Sequence, residues 1–329
     1  MNKSIFITMC FLLVNTACGY SQTNKSKKMK TNNPLICDPV IGACGVNDSL
    51  TNEKVTPSET EKAIKIIYFT DPICSSCWGI EPQLRKLKFE YGKLIEIEYR
   101  MGGLLPDWSY NSGGISKPAD VAGHWDEVSA HYDMPIDGDV WLEDPLDSSY
   151  PPSIAFKAAQ LQCEEKALLF LREIREMVFM QKINIAKYEN LEIAASKVGL
   201  DLVRFKSDFN GQAKLNFQED LNLAKSYGVR GFPTLFFASK DGKKEMVYGS
   251  RPYPFFEMAI YKLEPNAAKS EYRKDWESLF SVYKSFTAKE FAELSGMPRL
   301  DAEKHLNELS SSGKLIKSSC KNGHLWIKK

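Results

Sequence analysis

Two thiols separated by two residues, Cys74 and Cys77, are the strongest chemical signal in the chain. They follow a β-branched and aromatic run, Ile66-Ile67-Tyr68-Phe69, and a turn at Asp71-Pro72. An amphipathic stretch from Gly79 to Tyr91 comes next. That order predicts strand, turn and helix, with both thiols at the helix start. Free backbone N–H groups there favour a thiolate, which is the nucleophile and the better leaving group in disulfide exchange. Cys74 is the candidate to attack or be attacked, and Cys77 to resolve the mixed disulfide. A close thiol pair can also be half of a zinc site, which would require a second pair at compatible spacing.

A second element lies far downstream, at Gly231-Phe232-Pro233-Thr234-Leu235-Phe236-Phe237. A proline directly before an apolar strand belongs at the strand start, because it cannot donate to a ladder. An X-Pro bond at so tight a turn can be cis. About 150 residues separate Cys77 from Pro233, far more than a loop inside a compact domain would hold. Apolar spacing in the interval reads as helix at residues 119–132, 153–161, 164–181, 189–198 and 212–227, strongest through Ala167, Leu171, Ile174 and Val178.

Together these segments resemble the thioredoxin superfamily, and more closely its DsbA-like branch. Pro72, Trp78 and the Met101-Gly102-Gly103-Leu104 turn are similar to the FrnE-like members. The resemblance covers roughly residues 60–265. It implies an α/β thioredoxin fold with a large helical insertion, over about 106–227 of a domain at 64–265. It also implies that Pro233 is the cis-proline packed against the cysteines, with Phe232 before it holding a substrate's backbone. Trp78 is expected to flank that surface. The implied activity is thiol–disulfide exchange on protein thiols or disulfides, with a redox partner to recycle the pair, and without a cofactor or resident metal. Ser75-Ser76 departs from the better-known dipeptides of the family, so oxidant, reductant and isomerase stay open. The resemblance equally reaches DsbA-like adaptors that bind a regulator for proteolysis in the cytosol, where the thiol pair is not essential.

The remaining sequence bears on compartment and domain organisation. With 329 residues and net charge +1, the chain has no overall electrostatic footprint for nucleic acid or membrane. Lys3, the apolar run from Ile5 to Val14 and the small residues around Ser21 resemble a secretory signal over residues 1–22. Export, to a periplasm, is the expectation, with membrane attachment only if Cys18 is lipidated. Initiation at Met29 would instead give a cytoplasmic protein. Residues 23–63 read as a polar tether carrying Cys37 and Cys44. That pair could be a structural disulfide, a second redox pair or a share in a zinc site. Residues 271–329 read as helix, helix-turn-helix and a hairpin around Asn322-Gly323, resembling a winged helix. Its candidate recognition helix mixes Arg299 and Lys304 with Asp301, Glu303 and Glu308. That balance favours docking or dimerisation over phosphate contact.

Overall fold

The computed structural model describes residues 37–38, 43–44, 62–109 and 117–329. Two short strands, β1 (Cys37–Asp38) and β2 (Ala43–Cys44), pair antiparallel with Cys37 opposite Cys44. The signal expected over 1–22 and most of the tether lie outside the described residues.

The central sheet starts at β3 (Ile64–Thr70), whose sequence IKIIYFT is buried nearly throughout. Such a run suits an interior strand with neighbours on both sides. A right-handed crossover is the rule for parallel pairs. Here the connection carries α1 (Ser75–Gly79) and α2 (Glu81–Tyr91), and leads to β4 (Ile95–Met101), parallel to β3. On the other side, β5 (Thr234–Ser239) runs antiparallel to β3 and β6 (Lys244–Tyr248) antiparallel to β5, giving the order β4-β3-β5-β6. Gly242, at φ 85°, supplies the left-handed residue of the β5–β6 turn. Helix α10 (Tyr253–Leu263) closes this domain.

Among the described residues, seven helices lie in the interval between β4 and β5. They are α3 (Pro118–Tyr132), α4 (Val140–Glu143), α5 (Tyr150–Gln160), α6 (Glu164–Met180), α7 (Tyr188–Lys197), α8 (Leu202–Asn210) and α9 (Gln212–Ser226). Sequence spacing missed α8, whose only fully buried apolar side chain is Phe205. Its signal is the Asp201 N-cap, which accepts from the Arg204 N–H at 2.9 Å. Cys163 is the half-buried N-cap residue of α6.

The C-terminal module is a small α+β unit with its own core. It comprises α11 (Trp276–Val282), β7 (Ser285–Thr287), α12 (Ala288–Ser295), α13 (Arg299–Ser311), β8 (Leu315–Cys320) and β9 (Gly323–Lys328). Strand β9 lies between β7 and β8. Thr287 and Glu290 form a capping box at the start of α12, and Gly296 ends that helix at φ 77°. Strand β7 was not legible: three residues between two helices carry no period.

Charge and apolar contact together bolt the module to the larger domain: Phe89 of α2 packs on the module's core, its ring 4.5 Å from Tyr272 and 5.8 Å from Tyr283. Arg172 of α6 makes a bidentate pair with Glu290 at 2.7 and 3.0 Å, and its Nε reaches Glu176 at 2.6 Å. Arg85 of α2 stands 3.3 Å from Glu290 and donates to the Ser285 carbonyl at 2.8 Å. One turn along α6, Arg175 grips the other side, reaching Glu81 at 2.5 Å and Thr70 Oγ1 at 2.7 Å. Further out, Lys86 pairs with Glu293 at 2.8 Å. Burial alone would push the Glu290 carboxyl up, but Arg172 and Arg85 outweigh it and hold it below the usual carboxylate range.

Replacing Glu290 with Ala leaves two buried guanidinium groups without their shared carboxylate. Breaking one side of a buried pair costs about 3–5 kcal/mol, and urea unfolding of Glu290→Ala should show a loss of that order. The Glu290 contribution is present above the carboxyl's unfolded pKa and is lost as pH falls through its depressed folded value. The gap between wild type and variant should therefore narrow in acid.

Candidate functional site

Cys74 is the N-cap of α1. Its Sγ accepts from the Cys77 backbone N–H at 3.1 Å, and its own N–H donates to the Asp71 carbonyl at 3.2 Å. Cys74 and Cys77 are joined in a disulfide, with Cα atoms 5.1 Å apart. The bond is sheltered: Cys74 is 4% exposed and Cys77 0%. On reduction, the same Cys77 N–H would face a Cys74 thiolate, a charge-assisted contact that favours the ionised form.

Asp71 ties together the three segments around the pair. Its Oδ1 accepts from the Ile73 N–H at 3.0 Å. Its Oδ2 accepts from the Leu104 N–H and the Ser149 hydroxyl, both at 2.8 Å. Thus one carboxylate holds the cysteine loop, the turn after β4 and the start of α5. Burial pushes this carboxyl up to about 6, against the pull of those hydrogen bonds and of Arg175. Arg175 is itself 1% exposed and also approaches the Asp71 carbonyl, at 3.3 Å.

The second predicted element arrives beside the first. The β3–β5 register ends at Phe69 opposite Thr234, so Pro233 stands one step beyond, level with Thr70. The Phe232–Pro233 bond is cis. The Phe232 ring lies directly on Gly102, where any Cβ would collide with it, and the Gly102 N–H donates to the Thr70 carbonyl at 2.7 Å. The Gly102-Gly103 turn, with Gly103 at φ 69°, therefore makes the floor under Phe232.

Trp78 is corrected. Expected at a substrate surface, it is fully buried. Its ring stacks on Phe179 at 5.5 Å, Arg172 covers it at 4.3 Å, and its Nε1 donates to the Pro135 carbonyl at 3.1 Å. It anchors α1 and cannot touch a partner in this arrangement. Of the other thiols, Cys320 is free and lies 3.8 Å from the Met180 sulfur, and Cys163 is free beside Glu165. Neither adjoins the pair. For Cys37 and Cys44, only the backbone register is described. Sequence reasoning missed Asp71, Arg175 and Tyr132, whose hydroxyl meets Ser76 Oγ at 2.7 Å. Arg175 and Glu176, charged residues inside the buried stretch of α6, were the available signal.

Asp71 makes stability depend on pH with a defined sign. Its folded pKa of about 6 lies above the 3.8 of an ordinary aspartate, so between those values the folded chain holds more protons. The stabilisation is fully present below the unfolded pKa and is lost as pH rises through the folded one, worth roughly 2–3 kcal/mol. Melting temperatures from pH 4 to 7 should fall less steeply in Asp71→Asn than in wild type. An identical slope in the two proteins would contradict the raised carboxyl.

Comparison with known proteins accords with this geometry. A family model described as thioredoxin matches residues 68–258. The ClpXP adapter protein SpxH of Halalkalibacterium halodurans is 32% identical over 301 residues, covering 89% of this chain and 97% of that protein. SpxH of Bacillus subtilis is 30% identical over 271 residues, 81% of this chain and 89% of that protein. A crystal structure from Nitrosomonas europaea, assigned as a protein disulfide isomerase, superposes with a TM-score of 0.52 at 24% identity. It covers 62% of this chain and 96% of its own, and it bears on the fold alone. The expectation of export is corrected by the first two matches: an adapter of ClpXP works beside that protease, in the cytoplasm, and not in a periplasm. The sheet order, the paired cysteines at the first helix and the helical insertion agree with the sequence match, and the chain belongs to the thioredoxin family.

Proposed function

We propose that this protein is an adapter that presents a partner protein to the ClpXP protease, with a thioredoxin-fold body and the C-terminal module acting as one platform. The observation that carries this reading is the extent of the SpxH match. It takes in 89% of the chain, a span too long to end before the C-terminal module. Two structural features support it. The module is held to the body by buried ion pairs at Glu290, as a rigid binding platform requires. The disulfide is almost wholly covered, which suits an accessory pair better than one in rapid exchange with large substrates. In this reading Cys74 and Cys77 are dispensable for delivery.

Thiol–disulfide exchange with protein partners is the second reading, favoured by the Cys74–Cys77 bond at a helix start whose N–H already points at sulfur. In it, Cys74 meets the partner sulfur, Cys77 resolves, and the backbone at Phe232–Pro233 holds the partner's chain.

The two readings separate in one experiment. Protein half-lives are measured in cells lacking this chain, in cells depleted of ClpX, and in deletion cells carrying Cys74→Ser/Cys77→Ser. The adapter reading expects a shared set of proteins stabilised by the first two conditions and returned to normal turnover by the double variant. If deletion stabilises no ClpX-dependent protein, that reading fails. If the double variant does not restore turnover while Cys77→Ser accumulates mixed disulfides, exchange is the function.

A further inference from the structure

Four consecutive residues, the last of α3 and the three that follow it, touch the cysteine helix and the C-terminal module in turn. The Tyr132 hydroxyl meets Ser76 Oγ, between the two cysteines, at 2.7 Å, and its ring fills the space above Gly79, where a Cβ would stand 2.7 Å away. Asp133, in the left-handed conformation at φ 50°, pairs with Arg299 of α13 at 2.7 Å. The Met134 sulfur accepts from Thr287 Oγ1, the cap of α12, at 3.2 Å. The Pro135 carbonyl receives the Trp78 indole N–H at 3.1 Å, while Pro135 itself packs on Gly323 in the β8–β9 turn. Helix α1 has only five residues, and Ser76, Trp78 and Gly79 all contact this one segment. A cavity of about 200 Å³ opens beside it, lined by Asp133, Met134, Pro135, Arg299, His324 and Trp326 among others.

From this juxtaposition we propose that residues 132–135 couple the oxidation state of Cys74–Cys77 to the seating of the C-terminal module. The inference goes beyond the adapter reading and does not depend on it. On oxidation, the two thiols give up two protons and two electrons to a low-molecular-weight disulfide. Its S–S bond breaks as the Cys74–Cys77 bond forms through a mixed disulfide, and it leaves as two thiols. On reduction the two sulfurs become non-bonded and separate, so the first turn of α1 adjusts. Cys77 is fully enclosed, and its neighbours Ser76 and Trp78 pass the adjustment to Tyr132 and Pro135. Packed interiors respond by shifting between discrete arrangements, and a void beside the moving segment gives it room. Linkage makes the effect reciprocal: whatever alters the module's contacts with residues 132–135 also biases the thiol–disulfide equilibrium. Tyr132 and Asp133 are thus positioning residues for the pair.

The test uses the full chain equilibrated in oxidised and reduced glutathione. The pair is read by differential alkylation of the peptide carrying Cys74 and Cys77. Arg299→Ala removes a partly exposed ion pair without opening the core, and Tyr132→Phe removes only the hydroxyl at Ser76. Each should shift the oxidised-to-reduced ratio by at least about fivefold, the lower end of ordinary coupling between sites. Lys86→Ala, which cuts the module's separate contact through Glu293, should leave the ratio unchanged. In wild type, amide exchange across α13 and the β8–β9 turn should differ between the oxidised and reduced forms. The proposal is overturned if Arg299→Ala and Tyr132→Phe both match wild type, or if Lys86→Ala shifts the ratio as far as Arg299→Ala does.

Discussion

Two arginines three residues apart on α6 determine how the rest of the molecule is held. Arg172 and Arg175 lie on neighbouring positions of one helix face, as residues at that spacing must. Arg172 reaches outward to Glu290 and covers Trp78, while Arg175 reaches inward to Thr70, Asp71 and Glu81. Neither charge could be buried alone, since an isolated guanidinium in a dry interior is prohibitively costly. Each is therefore surrounded by carboxylates or carbonyls drawn from separate elements. The insertion helix thereby fixes the end of β3, the start of α2 and the module relative to one another. Buried pairs of this kind add little net stability compared with apolar packing, but they tolerate few alternative arrangements.

The same economy appears around the cysteines. The pair sits on a five-residue helix that has little packing surface of its own. Its position is set by Asp71 below, Trp78 behind and Tyr132 beside it. A sheltered disulfide held on three sides is suited to a slow chemical change that neighbouring groups register. It is less suited to one that passing substrates reach freely. The Phe232 ring, half-buried on its glycine floor, is more open than either cysteine.

What was legible in the sequence follows from local chemistry. The strand–turn–helix around Cys74, the proline before β5, the apolar face of α6 and the Thr287–Glu290 cap each announce themselves within a few residues. Short or weakly periodic elements did not: α8 buries one apolar side chain fully, and β7 has three residues. Trp78 was misread because a large aromatic beside a redox pair looks the same in sequence whether it faces solvent or core. Its burial depends on Arg172 and Phe179, about a hundred residues away in the chain. Tyr132, Asp71 and Arg175 escaped for the same reason, as their roles exist only once the insertion has folded back over α1. The N-terminal pattern misled about compartment because its composition is local evidence, whereas the matched relatives bear on the whole chain.

The Arg172–Glu290 pair also constrains how the protein is made. The two residues are 118 positions apart, and the arginine is synthesised first. At typical elongation rates of about 5–20 residues per second, its guanidinium waits on the order of ten seconds for its carboxylate. Until then, of the two carboxylates it finally holds, only Glu176 on the same helix is at hand. Water takes the place of Glu290 around the guanidinium meanwhile. Docking of the C-terminal module, which is made later than α6, then exchanges water around Arg172 for the Glu290 carboxylate.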